Sequence, residues 1–245
     1  MPGLIASRPT HRSLAPAQTE LDSIRALPKV LLCDLDGTLI DTMPVLADLA
    51  TEVMIGIYGI ARRLARELYL ATCGLPFIQQ LARIFPDDPR NASASELFES
   101  GKPSRCGLAR MPADTRAALV ALKHQGMRIA VSSNNGAQNV AAFSKSAGFP
   151  FDLVMGYGGG LAKGRPHVQM VERAIGVGRG EMLFVGDSLH DGEIALALGV
   201  PFVGMAGTFA KESFLLRFPG RPVIHRFAEL LDLFEVKPAA AVVDI

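Results

Sequence analysis

The 245-residue sequence predicts an α/β fold: a Rossmann-like, three-layer parallel sheet core with a small all-helical segment inserted after the first strand. Three observations predict it. From Met111 onward, short apolar runs alternate with stretches of helical periodicity, the grammar of parallel βαβ units. Between Thr42 and Arg110 no stretch alternates like a strand, while apolar residues recur three and four apart. Every polar cluster singled out below falls at the end of such a run, and in a parallel sheet those ends line one edge, where ligands bind.

The first strand follows Pro28 and runs through Val30 to Cys33, apolar on both faces as a central parallel strand requires. Asp34 and Asp36 follow two residues apart, so their side chains converge just beyond the strand, and Gly37 allows a sharp turn there. Like charges this close call for a bound cation or a raised pKa. Asp41-Thr42-Met43-Pro44 reads as a helix entrance, with proline tolerated in the first turn. Leu46, Leu49, Val53 and Ile57 then carry one helix, Leu64 and Leu68 a second, and Phe77, Leu81 and Ile84 a third. Pro86, Pro89, Gly101 and Pro103 read as a broken return linker. The resulting division is a tail over 1–27, a core over 28–42 and 110–245, and a helical insertion over 43–109.

In the core, Pro112 to Gln125 is an expected helix and Met127 to Val131 an expected strand ending at Ser132-Ser133-Asn134-Asn135. Asn135 is placed as cap of the next helix, with Gln138 three residues on and Gly148 as its stop. Phe151 to Met155, Met182 to Val185 and Pro201 to Gly204 complete the strands. Helices are expected over Val168 to Ile175 and through Ile194 and Leu198.

The composition is 49% hydrophobic and 20% charged, with a formal net charge of +1. This excludes the strong positive field of a nucleic-acid binder. No run of about 18 apolar residues exists, so no membrane span is expected. Cys33, Cys73 and Cys106 form no CxxC and no even set, which fits a reducing, cytoplasmic compartment better than a disulfide scaffold. The first residues contain Arg8 and Arg12 with several Pro, Ser and Thr and no acid up to Gln18, without the apolar centre of a secretory signal.

Four polar clusters fall at strand ends. Besides Asp34 and Asp36, Ser132 and Ser133 offer hydroxyls where charge spread over phosphoryl oxygens would need neutral donors. Lys163 and Arg165 offer a cation, with Lys163 favoured for its flexible stem and Arg165 directly preceding Pro166. Asp187 and Asp191 stand four apart at the turn after a strand. Asp34, Asp187 and the backbone carbonyl of Asp36 would make an oxygen-rich site for Mg²⁺. His190 enters only by proximity.

Taken in order, Asp34-Leu35-Asp36-Gly37-Thr38-Leu39, Ser132, Lys163 and Asp187 with Asp191 resemble motifs one to four of the haloacid dehalogenase-like superfamily, over Pro28 to Phe234. The insertion resembles its C1-type cap. The resemblance implies a Mg²⁺-dependent phosphatase with Asp34 as nucleophile and Asp36 as general acid/base. Ser132 would be the phosphate-binding hydroxyl, Lys163 the cation and Asp191 a supporting acid. Its partner would be a small phosphorylated metabolite, with Gly74 in the Thr72–Pro76 turn of the cap approaching the ligand. Motif three departs from Lys-Pro-x-Pro, reading Lys163-Gly164-Arg165-Pro166. Asp36 argues against a dehalogenase, and Lys102 is the one lysine the insertion offers for Schiff-base phosphonate chemistry. A phosphomutase shares all four clusters, and a catalytically silent binding or regulatory protein is the reading from another class, which the complete set of acids disfavours.

Overall fold

A computed structural model describes residues 27–107 and 109–237. All of the tail except Leu27, and the last eight residues of the expected core, lie outside the described residues. Strand β1 (Val30–Cys33) is buried along its whole length. The other strands are β2 (Arg128–Gly136), β3 (Leu153–Tyr157), β4 (Met182–Gly186), β5 (Phe202–Met205) and β6 (Val223–Ile224). They form one sheet in the order β3-β2-β1-β4-β5-β6, with every pairing parallel. Chain order reverses at β1, and the crevice beyond the carboxyl ends at such a point is where α/β sheets take ligands.

The segment between β1 and the rest of the sheet folds as helices α1 (Met43–Tyr58), α2 (Arg62–Thr72), α3 (Phe77–Ile84) and α4 (Asn91–Cys106). They bury a core of their own, with Leu46, Met54, Tyr69, Phe77, Leu81 and Phe98 at its centre. The Phe77 and Phe98 rings lie 4.1 Å apart between centroids, and Tyr69 stands 6.0 Å from each. Helix α4 replaces much of the return linker expected from Gly101 and Pro103. Its buried stripe is Asn91, Ala94, Phe98 and Lys102, in which only two residues are apolar, so hydrophobic periodicity could not announce it. Pro103 sits in its last turn, where a missing N–H costs one hydrogen bond and the helix ends soon after.

The core helices are α5 (Ala113–His124), α6 (Ala137–Ala147), α7 (Arg165–Ile175), α8 (Leu189–Leu198), α9 (Lys211–Arg217) and α10 (Glu229–Leu233). Leu31, Cys33, Ile129 and Val131 face α5, α6 and α10. Val30, Leu32, Ala130 and Phe184 face α7, α8 and α9. Leu31 and Leu32 are at most 1% exposed on opposite faces. Each stabilises by about 1.5–3 kcal/mol, and a slip of one residue would exchange their faces, so the register that delivers Asp34 to the sheet edge is fixed.

Strand β2 runs on to Gly136, and its register with β3 shifts between Ser132 and Gly136. Strand β3 starts two residues later than expected because the Asp152 carboxylate instead accepts the Ile129 N–H at 2.8 Å. Strand β6, α9 and α10 are too short for periodicity to mark; β6 extends the sheet, while α9 and α10 cover opposite faces of it. Among the described residues no helix is long and apolar enough to cross a membrane.

Candidate active site

Asp34 is the first residue past β1, and its N–H still bonds Val185 O at 2.9 Å, continuing the ladder. The residue is 5% exposed; Oδ1 accepts the Leu35 N–H at 2.7 Å and Oδ2 lies 2.7 Å from Lys163 Nζ. Lys163 also reaches Asp191 Oδ1 at 2.8 Å. Asp191 spends its other oxygen at the start of α8, accepting the Ser188 hydroxyl at 2.6 Å and the Ser188 N–H at 3.2 Å. It therefore holds the lysine in place from behind. Asp187, 2% exposed, accepts the Thr208 hydroxyl. Gly37, at φ +83°, lies so close that a Cβ there would collide with the Asp187 carboxylate, so both the turn and the approach require glycine.

Oxygens of Asp34, Asp187 and Asp191 lie within 4.8 Å of one another, and the one ammonium among them, that of Lys163, pairs with Asp34 and Asp191. Burial, reinforced by Asp191 and Asp36, pushes the Asp34 carboxyl up to about 7 even though Lys163 pulls it down. Asp187 is driven well above the carboxylate range by burial and then by Asp34 and Asp191. Burial opposes the charge on Lys163, but Asp191 and Asp34 outweigh it and raise its pKa. One ammonium does not balance three buried carboxylates, and all the surplus donors are hard oxygens. This set fits a small divalent cation held by Asp34 and Asp187, since Asp191 is already committed.

Asp36 is held at both oxygens: the Thr42 hydroxyl donates to Oδ1 at 2.6 Å and the Asn135 amide to Oδ2 at 2.9 Å. Neither role was legible in the sequence. Thr42 is the N-cap of α1 but makes no capping bond with its side chain. The expected cap of α6 at Asn135 is displaced to Gly136, because the Asn135 side chain is drawn to Asp36. Asn134 ties three segments together: its oxygen accepts the Lys163 N–H at 2.9 Å, and its nitrogen donates to the Gly74 carbonyl at 2.7 Å. The only signal for these residues was their place in a polar cluster after a strand.

The two serines part company. Ser132 shares the face of Ala130 and turns away from the crevice to bond His167 Nδ1 at 2.9 Å, so the hydroxyl expected on phosphate is occupied elsewhere. Alternation along the strand puts Ser133 on the other side, lining the cavity with Asp34, Asp36 and Lys163. Arg165 is likewise not brought in: it begins α7 with its side chain exposed, whereas Lys163 is 7% exposed and central. Gly74 does line the cavity, at φ +93°, and a Cβ there would strike the Ser188 hydroxyl. The turn between α2 and α3 thus rests directly on the core. His190 is not among the lining residues.

His167 is fully buried, and its Nε2 lies 3.3 Å from the Gly156 carbonyl, which only accepts, so Nδ1 takes the Ser132 hydroxyl proton. Burial lowers its pKa to about 4. Unfolded, it would titrate near 6.5, so the unfolded chain binds the extra proton between the two values and stability falls as pH drops through that window. The full loss is about 3 kcal/mol below both values. Asp34, shifted upward, acts in the opposite sense, gaining stability as pH falls below about 7. Metal-free His167→Gln is therefore expected to lose less stability than wild type between pH 6.5 and 4 by urea denaturation. Parallel curves would contradict the assignment.

The family profile of the haloacid dehalogenase-like hydrolases matches residues 31–205. Phosphoglycolate phosphatase of Neisseria meningitidis serogroup A is 31% identical over 185 residues, covering 70% of this chain and 77% of that protein. Phosphoglycolate phosphatase of Yersinia pseudotuberculosis is 30% identical over 213 residues, covering 81% and 89%. The solved structure of a haloacid dehalogenase-like family hydrolase from Streptococcus pneumoniae superposes with a TM-score of 0.71 at 17% identity, covering 84% and 98%. Sheet order, helical insertion and acidic crevice agree with that match: the chain belongs to the haloacid dehalogenase-like hydrolases and is a phosphatase, a hydrolase of phosphoric monoesters.

Proposed function

We propose that this phosphatase is Mg²⁺-dependent and acts on a small phosphorylated metabolite through an aspartyl-phosphate on Asp34. The observation that carries the reading is the convergence of Asp34, Asp36 and Lys163 on one cavity, with the Lys163 ammonium 2.7 Å from Asp34. Asp34 attacks phosphorus while the leaving oxygen departs in line. Asp36, oriented by Thr42 and Asn135, gives its proton to that oxygen and later takes one from the attacking water. Ser133 and Lys163 hold the phosphoryl oxygens, and the lysine brings charge that Asp191 keeps in position. Mg²⁺ bound by Asp34, Asp187 and the Asp36 carbonyl would neutralise repulsion between carboxylate and phosphate.

The cavity has room for about 60 Å³ of water-sized occupants. At roughly 10–15 Å³ per water this is the space of a few solvent molecules beside the phosphate site, which favours a compact ester. Phosphoglycolate, the substrate in the names of both relatives, is the first ester to try. Release of phosphate from p-nitrophenyl phosphate and phosphoglycolate, with Mg²⁺ and with EDTA, tests the reading. Activity on at least one that EDTA abolishes is expected; equal activity with EDTA would overturn the metal dependence. Mg²⁺ at about a hundred times its Kd should also stabilise the wild type by about 2.7 kcal/mol. That gain should largely vanish in Asp187→Asn.

A further inference from the structure

We propose that Lys102, carried by the helical insertion, binds a carboxylate on the leaving group, so that the preferred substrates are small phosphorylated acids; the proposal rests on the phosphatase reading above. Lys102 occupies the buried stripe of α4, in line with Ala94 and Phe98. It is 6% exposed, and its ammonium lies 4.7 Å from the Phe98 ring centroid. An apolar side chain would complete that stripe without the cost of removing a charge from water. The position therefore calls for an anionic partner.

The partners within the chain are modest. Lys102 Nζ donates to Glu99 Oε1 at 2.8 Å and to Asn135 Oδ1 at 3.3 Å, which accounts for two of its three N–H groups. The Glu99 side chain is 39% exposed, so water screens much of its charge. Lys102 lines the same cavity as Asp34, among Leu46, Tyr69, Phe77 and Phe98 from the insertion. The other cation lining that cavity is Lys163, which Asp34 and Asp191 already neutralise. A carboxylate entering beside the phosphate would thus meet one ammonium with a donor to spare, against apolar walls that strengthen the pair.

Its place relative to Asp36 assigns it to the leaving group. Asp36 protonates the departing oxygen, and Asn135 bonds Asp36 with one end of its amide and Lys102 with the other. Asp36, Asn135 and Lys102 also wall an adjoining cavity of about 310 Å³, so space beyond the departing oxygen continues on the Lys102 side. A short acid attached through that oxygen would bring its carboxylate to the ammonium.

A different role for the same contacts is to position Asp36 through Asn135, and substrate pairs separate the two. We would measure kcat and KM for phosphoglycolate and for ethyl phosphate, which has no carboxylate, in wild type, Lys102→Met, Lys102→Gln and Lys102→Arg, with folding checked by circular dichroism. Wild type is expected to favour phosphoglycolate by about 10- to 100-fold in kcat/KM, the range of one charge-assisted hydrogen bond. Lys102→Met, or Lys102→Gln should the first not fold, is expected to erase most of that preference through KM for phosphoglycolate. Lys102→Arg should restore part of it. Equal losses on both esters, carried in kcat with a shifted acid limb of the pH profile, would assign Lys102 to positioning and overturn the proposal. So would a wild type that hydrolyses both esters without preferring the acid. A wild type inactive on every ester, p-nitrophenyl phosphate included, would instead remove the phosphatase reading and this proposal with it.

Discussion

Asp34→Asn is expected to lower turnover on the order of 10⁴-fold or more while leaving the fold intact. An amide cannot attack phosphorus, yet it can still accept from the Leu35 N–H or from Lys163, the two bonds that fix the carboxylate. The change also removes one acid from a cluster in which burial and mutual repulsion raise both Asp34 and Asp187. Without Mg²⁺ the variant should therefore melt no lower than wild type, and the rise in Tm on adding Mg²⁺ should shrink. Steady-state rates, circular dichroism and thermal melts read these three outcomes together. Turnover within about tenfold of wild type would remove Asp34 from the role of nucleophile.

Lys163→Ala is expected to cost both rate and stability, whereas Arg165→Ala is expected to cost neither. The Lys163 ammonium is the one counter-charge between Asp34 and Asp191, and both are buried. Deleting one partner from a buried pair leaves uncompensated charge, a loss of about 3–5 kcal/mol. The phosphoryl group also loses its cation, a drop on the order of 10²- to 10³-fold in kcat. Arg165 is exposed at the start of α7, and a surface change of that kind stays within about 0.5 kcal/mol. Urea denaturation and kcat for both variants check this contrast. A larger loss in Arg165→Ala would reverse the assignment of the cation.

The parts of this architecture visible in the sequence are those governed by local rules. Val30 to Cys33 could be read as a central strand because both its faces are apolar, and Asp34 and Asp36 as convergent because alternation has a fixed period. The α/β alternation and the helical insertion followed from periodicity alone. What stayed hidden depends on contacts distant in sequence. Ser132 and Ser133 are equivalent as letters: alternation puts them on opposite faces, and which face meets the crevice follows from α7 covering the other, with His167 opposite Ser132. Asn135 resembled a helix cap, since the Asp36 that captures its side chain is 99 residues away in the chain. Helix α4 stayed hidden because Asn91 and Lys102 stand where its buried stripe would ordinarily carry apolar residues. Thr208, which donates to Asp187, lies after β5 in a segment with no periodic pattern.

The covalent role of Asp34 is the claim on which the mechanism turns, and rapid acid quench of the working enzyme tests it most directly. Enzyme mixed with a hydrolysed ester and Mg²⁺ would be quenched at successive times, digested and mapped by mass spectrometry. A phosphoryl adduct on the peptide bearing Asp34, forming and decaying fast enough to account for turnover and absent from Asp34→Asn, is the predicted result. Phosphate release with no adduct at any time, or an adduct on another residue, would contradict the account.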